Sequence, residues 1–212
     1  MKLYSYFRSS ASFRVRIALA LKGIDFDYAA VHLVQGGGQQ FAAGFKAMNP
    51  AALVPVLDDD GTLLTQSLAI IEYLNETRPQ PPLLPAAAAD RARVRSIALA
   101  IACEIHPLNN LRVLGYLNNT LGIAEEQRNA WYRHWVETGL ETIERQLAAA
   151  PSTYCHGETP TMADCMLVPQ IFNAQRFDCR LDHVPHVMRV FERCMAHPAF
   201  EAARPERCPD AA

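Results

Sequence analysis

The chain has 212 residues, half of them hydrophobic and a fifth charged, with a formal net charge of −2. That length holds one large domain or two small ones sharing an interface, and the near-neutral balance excludes a strong pull toward nucleic acid or an anionic membrane. No apolar run approaches the ~20 residues of a membrane span, and Arg8, Arg14 and Arg16 interrupt any signal-peptide core, so a cytoplasmic protein is expected.

Residues 2–6 read as a strand and 12–22 as a helix that Gly23 closes. A second strand is predicted over 26–31, then a flexible run at Gly36-Gly37-Gly38 and a short helix over 40–47. A third strand covers 54–57, Asp58-Asp59-Asp60-Gly61 is a turn, and a short fourth strand covers 62–64. A helix over 67–76 carries Leu68, Ile71 and Leu74 on one side. The order β-α-β-α-β-β-α makes an α/β domain over 1–80. The proline-rich stretch 79–85 can be neither helix nor central strand, and 81–85 is assigned as the linker.

Everything beyond the linker is helical, giving an all-α domain over 86–212. The helical segments are 86–117, disturbed at Pro107, then 125–149, 162–177, 187–195 and 199–203. A tail over 204–212 with two prolines is expected to be mobile. The six cysteines form no Cys-x-x-Cys and no zinc-like pairing with histidine, so buried free thiols are the expectation and no metal is predicted.

The segment Tyr6-Phe7-Arg8-Ser9-Ser10-Ala11-Ser12 concentrates an arginine and three serine hydroxyls where a strand passes into a helix. Unpaired N–H groups and the positive end of the helix dipole favour an anion there, such as a thiolate or carboxylate, although one serine could simply cap the helix. At Val54-Pro55, the rarity of cis X-Pro bonds favours a trans proline entering an edge strand; a cis bond would let the Val54 backbone pair with an extended peptide. Ser67 after Gln66 reads as a helix N-cap that could also hold a ligand carboxylate. Thr161-Met162-Ala163-Asp164 reads as a capping box. His106 and Asn110 are expected on one helix face with Arg112 pointing elsewhere, and this stretch is either a solvated face or the wall of a cleft. Arg176 is equally open between a surface role and a site.

Together these residues resemble the soluble glutathione transferases. The stretch Tyr6-Phe7-Arg8-Ser9-Ser10 through Arg14-Val15-Arg16-Ile17-Ala18-Leu19, with Gly37-Gly38-Gln39-Gln40-Phe41, Asn49-Pro50, Gln66-Ser67-Leu68-Ala69-Ile70-Ile71-Glu72-Tyr73-Leu74 and Leu167-Val168-Pro169-Gln170, is similar to the zeta class, which includes maleylacetoacetate and maleylpyruvate isomerases. The resemblance implies a thioredoxin-like first domain that binds glutathione as cofactor, an all-helical domain that completes the substrate site, and a homodimer. It places Ser9, Ser10 and Ala11 at the glutathione sulfur, with Ser9 and Ser10 as the catalytic candidates. It places Gln40, Val54, Gln66 and Ser67 on the tripeptide, and His106, Asn110 and Arg112 as further cofactor contacts, some perhaps from a dimer partner. Arg8, Arg112 and Arg176 are implied to bind substrate carboxylates. The activity implied is glutathione-dependent cis–trans isomerisation of a maleyl keto acid in aromatic catabolism, with conjugation of electrophiles as the alternative. The class usually reads Ser-Ser-Cys where this chain has Ser9-Ser10-Ala11. No protein thiol lies in the loop, so any covalent role falls to the glutathione sulfur.

Overall fold

The structure, a computed structural model, describes residues 1–211 and divides into two units, Met1–Leu83 together with the chain from Met195 onward, and Leu84–Cys194. In the first unit, β1 (Lys2–Ser5), β2 (Asp27–Ala30), β3 (Val56–Asp59) and β4 (Thr62–Thr65) form one sheet in the order β2-β1-β3-β4. β1 pairs parallel with β2, which requires a crossover, and α1 (Ser10–Leu21) supplies it. β1 pairs antiparallel with β3, and β3 with β4 through the tight turn at Asp60-Gly61, where both residues have positive φ.

Side chains alternate across the sheet. Ser5 faces α1, where Arg16 donates to its hydroxyl, while Tyr4 packs edge-on against Phe45 of α2 (Ala43–Met48), ring centroids 6.4 Å apart. Tyr6, Val31, Phe45, Val54 and Val56 form the core on the α2 face. On the α1 face, α1 packs beside α3 (Ser67–Thr77), with Phe13, Ile17, Ile70, Ile71 and Leu74 at most 1% exposed. The expected short helix over 40–47 is a 3-10 turn, Gln39–Phe41, followed by α2. The proline-rich stretch is held from the first unit: the Lys22 ammonium donates to the carbonyls of Arg78 (2.7 Å) and Pro81 (2.8 Å).

In the second unit, the single helix expected over 86–117 is broken. α4 (Ala88–Leu99) runs into a π-helical turn, Ala100–Ile105, then α5 (His106–Asn109), then α6 (Leu111–Asn119). The break falls at Asn110, whose backbone is extended (φ −77, ψ 160), rather than at Pro107, which sits in the first turn of α5 where its missing N–H costs little. α7 (Glu125–Ala149) packs against the π turn, and a Cβ at Gly139 would collide with the Ile105 side chain. Only glycine allows that approach. α8 (Met162–Arg176) opens with the predicted capping box, in which the buried Asp164 carboxylate accepts from the Thr161 N–H (2.7 Å) and hydroxyl (2.8 Å). It also accepts from the Cys155 N–H (2.8 Å); burial nevertheless raises its pKa. α9 (Pro185–Met195) follows.

The end of the chain departs from expectation. Residues from Met195 onward were expected in the helical domain but pack with the α/β unit, where α10 (Pro198–Ala202) lies against α1. Residues 204–211, expected to be mobile, are tied down: a 3-10 turn, Pro205–Arg207, leads to Asp210, which accepts from the Tyr28 hydroxyl (2.7 Å). Four cysteines (Cys155, Cys165, Cys179, Cys194) are buried as expected, whereas Cys103 is exposed and Cys208 half-buried. Burial pushes the Cys179 thiol up to about 12 and holds Cys155 and Cys194 far above neutrality, so these thiols stay protonated.

Candidate functional site

The loop before α1 is a turn closed by the Ser9 N–H donating to the Tyr6 carbonyl (2.9 Å). Ser9 is the capping serine: its backbone is extended (φ −73, ψ 114) and its hydroxyl accepts from the Ser12 N–H (3.2 Å). The helix therefore begins two residues earlier than expected, because Ser9 satisfies a first-turn donor that Ser12 would leave open. A hydroxyl oxygen that accepts this bond keeps its own hydrogen to donate outward. Ser9 is half-buried at the positive end of α1, Ser10 is buried in the first turn, and Ala11 is half-buried beside it. Arg8 is exposed, its guanidinium carbon 4.9 Å from the centroid of the Phe7 ring.

The second helix start in this unit is built differently. Gln66 holds φ 68, ψ 113, a region that costs a residue with a side chain roughly 1–3 kcal/mol. Its carbonyl accepts from the Ile70 N–H (3.0 Å), its side chain caps nothing, and the residue is exposed. The expectation that Ser67 is the N-cap does not hold: Gln66 is the cap, and Ser67 is the first helical residue. The Ser67 hydroxyl accepts from Arg14 Nη1 (3.3 Å), and both residues are buried. Ser67 thus sits at the positive end of α3 with a buried cation behind its hydroxyl, a setting for an anion.

Two further residues lie near the sheet. Gln40 is buried, its Nε2 donating to the Leu33 carbonyl (3.2 Å), while its Oε1 has no partner among the described residues. Gly38 makes room for that amide: its φ is +99, and a Cβ would lie 2.6 Å from Gln40 Nε2. The Val54-Pro55 bond is cis, against the expectation of trans, and Val54 is buried just before β3. The α/β unit therefore carries two helix N-termini suited to anions, at Ser9 and at Ser67, and a buried unpaired acceptor at Gln40.

The helical unit presents its candidates otherwise. Because the chain breaks at Asn110, His106 and Asn110 do not share one helix face. Asn110 is the N-cap of α6: Oδ1 accepts from the Val113 N–H (3.0 Å), and Nδ2 donates to the Pro107 carbonyl (3.1 Å). One lone pair and one N–H remain for a ligand. His106 is half-buried at the start of α5, and Arg112 is exposed in the first turn of α6. Arg176 is exposed at the end of α8, 5.1 Å over the Phe177 ring, which itself stacks on Tyr132 (3.8 Å between centroids, 13° between planes).

Arg14, Arg16 and Asp210 had no expected role in the site. The signal was available for the first two, since two arginines in an otherwise apolar helix must find partners if buried. Arg16 is 3% exposed and donates to the Ala203 carbonyl (3.1 Å), the Ser5 hydroxyl (3.2 Å) and the Phe7 carbonyl (3.2 Å); burial lowers its pKa.

Comparison with known proteins agrees with this geometry. Family models described as glutathione S-transferase N-terminal and C-terminal domains match residues 8–77 and 125–202. A probable maleylacetoacetate isomerase of Vibrio cholerae is 48% identical over 209 residues, spanning 99% of this chain and 97% of that protein. A holo structure of a maleylpyruvate isomerase, a bacterial glutathione S-transferase of the zeta class, is 46% identical over the whole of both chains with a TM-score of 0.97. A maleylacetoacetate isomerase from Anaeromyxobacter dehalogenans with glutathione bound in its active site is 42% identical, covering 100% of this chain and 97% of that one, with a TM-score of 0.89. With both halves matched and such identity sustained over its full length, the chain belongs to the glutathione transferase family and, within it, to the zeta class.

Proposed function

We propose that this protein is a glutathione-dependent cis–trans isomerase that converts a maleyl keto acid, maleylacetoacetate, to its fumaryl isomer. The observation that carries the reading is the loop at Arg8–Ala11: an exposed guanidinium, a capping hydroxyl free to donate at a helix N-terminus, and no protein thiol. Glutathione, when bound, supplies a thiolate that adds reversibly to the alkene and so permits rotation about it. Ser9, with Ser10 beside it, donates to the sulfur and, with the α1 dipole, favours ionisation near neutral pH. Gln66 and Ser67 hold the acidic end of the tripeptide, Ser67 backed by Arg14. Gln40 and the Val54 backbone hold its middle.

Arg8, Arg112 and Arg176 bind the substrate carboxylates, for which the planar guanidinium fork is suited, so that only the centre of the substrate turns. Arg8 and Arg176 each lie over the ring of a neighbouring phenylalanine, which limits the rotamers they must lose on binding. His106, Asn110 and Arg112 are further glutathione contacts in this reading, Asn110 through the hydrogen-bonding capacity its capping role leaves over. The protein acts as a cytoplasmic homodimer; exposed Leu99, Leu111, Tyr116 and Leu121 supply apolar surface on the helical unit for a partner. No helix among the described residues is long and apolar enough to cross a membrane.

A second reading, maleylpyruvate as substrate, is favoured by the TM-score of 0.97 to a maleylpyruvate isomerase. The test offers both maleyl substrates with and without glutathione, following loss of the conjugated absorbance and the amount of free glutathione. Isomerisation leaves glutathione undiminished, whereas stoichiometric consumption means conjugation. Turnover without glutathione overturns the proposal.

A further inference from the structure

We propose that Asp210 is a positioning residue for the site loop: the end of the chain clasps the turn that carries Arg8 and Ser9. The inference rests on the proposed role of that loop. The turn Tyr6–Ser9 has Phe7 and Arg8 at its centre. Phe7 is fixed at both of its backbone groups. Its N–H donates to Asp210 Oδ2 (3.1 Å), 203 residues away, and its carbonyl accepts from Arg16 Nη2 (3.2 Å). The two ties converge on one chain segment, because Arg16 also donates to the Ala203 carbonyl (3.1 Å). The second carboxylate oxygen of Asp210 accepts from the Tyr28 hydroxyl (2.7 Å), which anchors the clasp to β2.

The exposed ion pairs of the tail add little. Arg204 and Arg207 pair with Glu201 (3.1 and 3.0 Å) and Arg204 with Glu206 (3.2 Å), and exposed pairs of this kind contribute little. Chain ends without strong ties fray. A charge-assisted bond from a backbone N–H to a carboxylate is strong enough to hold one. Helix α1 and the sheet are held by their own buried apolar residues, so the clasp governs the orientation of the Phe7 and Arg8 peptide planes rather than the fold. That orientation aims the Arg8 side chain and sets the entry of Ser9 into α1.

The experiment compares the parent chain with Asp210→Ala, Asp210→Asn and Tyr28→Phe. For Asp210→Ala, kcat is expected to fall about tenfold, in keeping with a small displacement of positioned groups, while KM for glutathione stays within about twofold because the contacts proposed at Gln40, Val54, Gln66 and Ser67 lie outside the clasped turn. Hydrogen exchange at the Phe7 amide speeds up while that of the β1 and β3 amides is unchanged. Asp210→Asn, a neutral acceptor of the same shape, falls between the parent and Asp210→Ala in each readout. Tyr28→Phe leaves the Phe7 bond in place and has the smaller effect. Parent-like kcat and Phe7 exchange in Asp210→Ala overturn the assignment, as does a loss that Asp210→Asn does not lessen. Should the alanine variant fail to fold, Asp210→Asn decides alone: faster Phe7 exchange supports the clasp and unchanged exchange overturns it. Exchange needs no turnover, so a parent chain that does not isomerise maleyl substrates rejects the proposed activity without touching this result.

Discussion

The two units present their candidate residues in opposite ways. In the α/β unit the groups other than the exposed Arg8 are fixed by main-chain geometry: Ser9 caps α1, Ser67 opens α3 against a buried arginine, Gln66 is forced to positive φ, and Gln40 fills the space a glycine leaves. In the helical unit Arg112 and Arg176 are exposed side chains, and only Asn110 is held by the backbone around it. Backbone-set groups suit a ligand that never changes, and long charged side chains suit one whose ends must be gripped while its middle rotates. Disturbing the first kind should damage chemistry, and disturbing the second should damage substrate affinity.

The largest effect is expected for Ser9→Ala. Loss of a donor aimed at developing charge typically lowers kcat by about 100-fold, and the bound thiol's pKa should rise toward the ~8.5 of a free thiol. Thiolate absorbance titrated with pH, beside kcat, checks both. An unchanged titration would move the role to Ser10. A smaller and different effect is expected for Arg176→Ala: KM for the maleyl substrate rises about tenfold, as for loss of one charge-assisted carboxylate contact, with KM for glutathione within about twofold. Equal rises in both constants would erase the contrast between the units.

The contrast also explains what the sequence disclosed. Element order was legible because period-2 and period-3.6 patterns, Gly-rich turns and the proline break are local signals. The capping box at Thr161 and Asp164 was legible for the same reason. The start of α1 was displaced by two residues and the cap of α3 by one, to Gln66, since several adjacent polar residues could each cap and only φ/ψ decides. The break at Asn110 was masked by a continuous apolar period on either side. The packing of the chain end on α1 was invisible, because the contacts of Arg16 with Ala203 and of Phe7 with Asp210 join residues about as far apart as this chain allows.

The smallest expected effect concerns acid stability, to which a depressed carboxylate in each unit, Asp59 and Glu144, contributes. Burial alone would raise Asp59, but the hydrogen bonds from Tyr73 (2.9 Å) and Arg78 (3.0 Å) and the Arg78 charge hold it below the usual range. Burial would likewise raise Glu144, but it accepts from the N–H groups of Val187 (2.9 Å) and His186 (3.1 Å) at the start of α9 and from the His186 ring (2.6 Å), and its pKa is lowered. A folded-state pKa below the unfolded value means that the unfolded chain binds the proton first as pH falls. The stability each carboxylate contributes is therefore present above the unfolded value of ~4 and disappears as pH drops through the lower folded value. Glu144→Gln resembles the protonated state in losing the charge while keeping an acceptor. It should cost about 1 kcal/mol at neutral pH, comparable to loss of a helix cap, and the difference from the parent chain should shrink toward zero in acid. Urea unfolding at neutral and acidic pH measures it. A deficit that stays constant with pH would assign the effect to shape rather than charge.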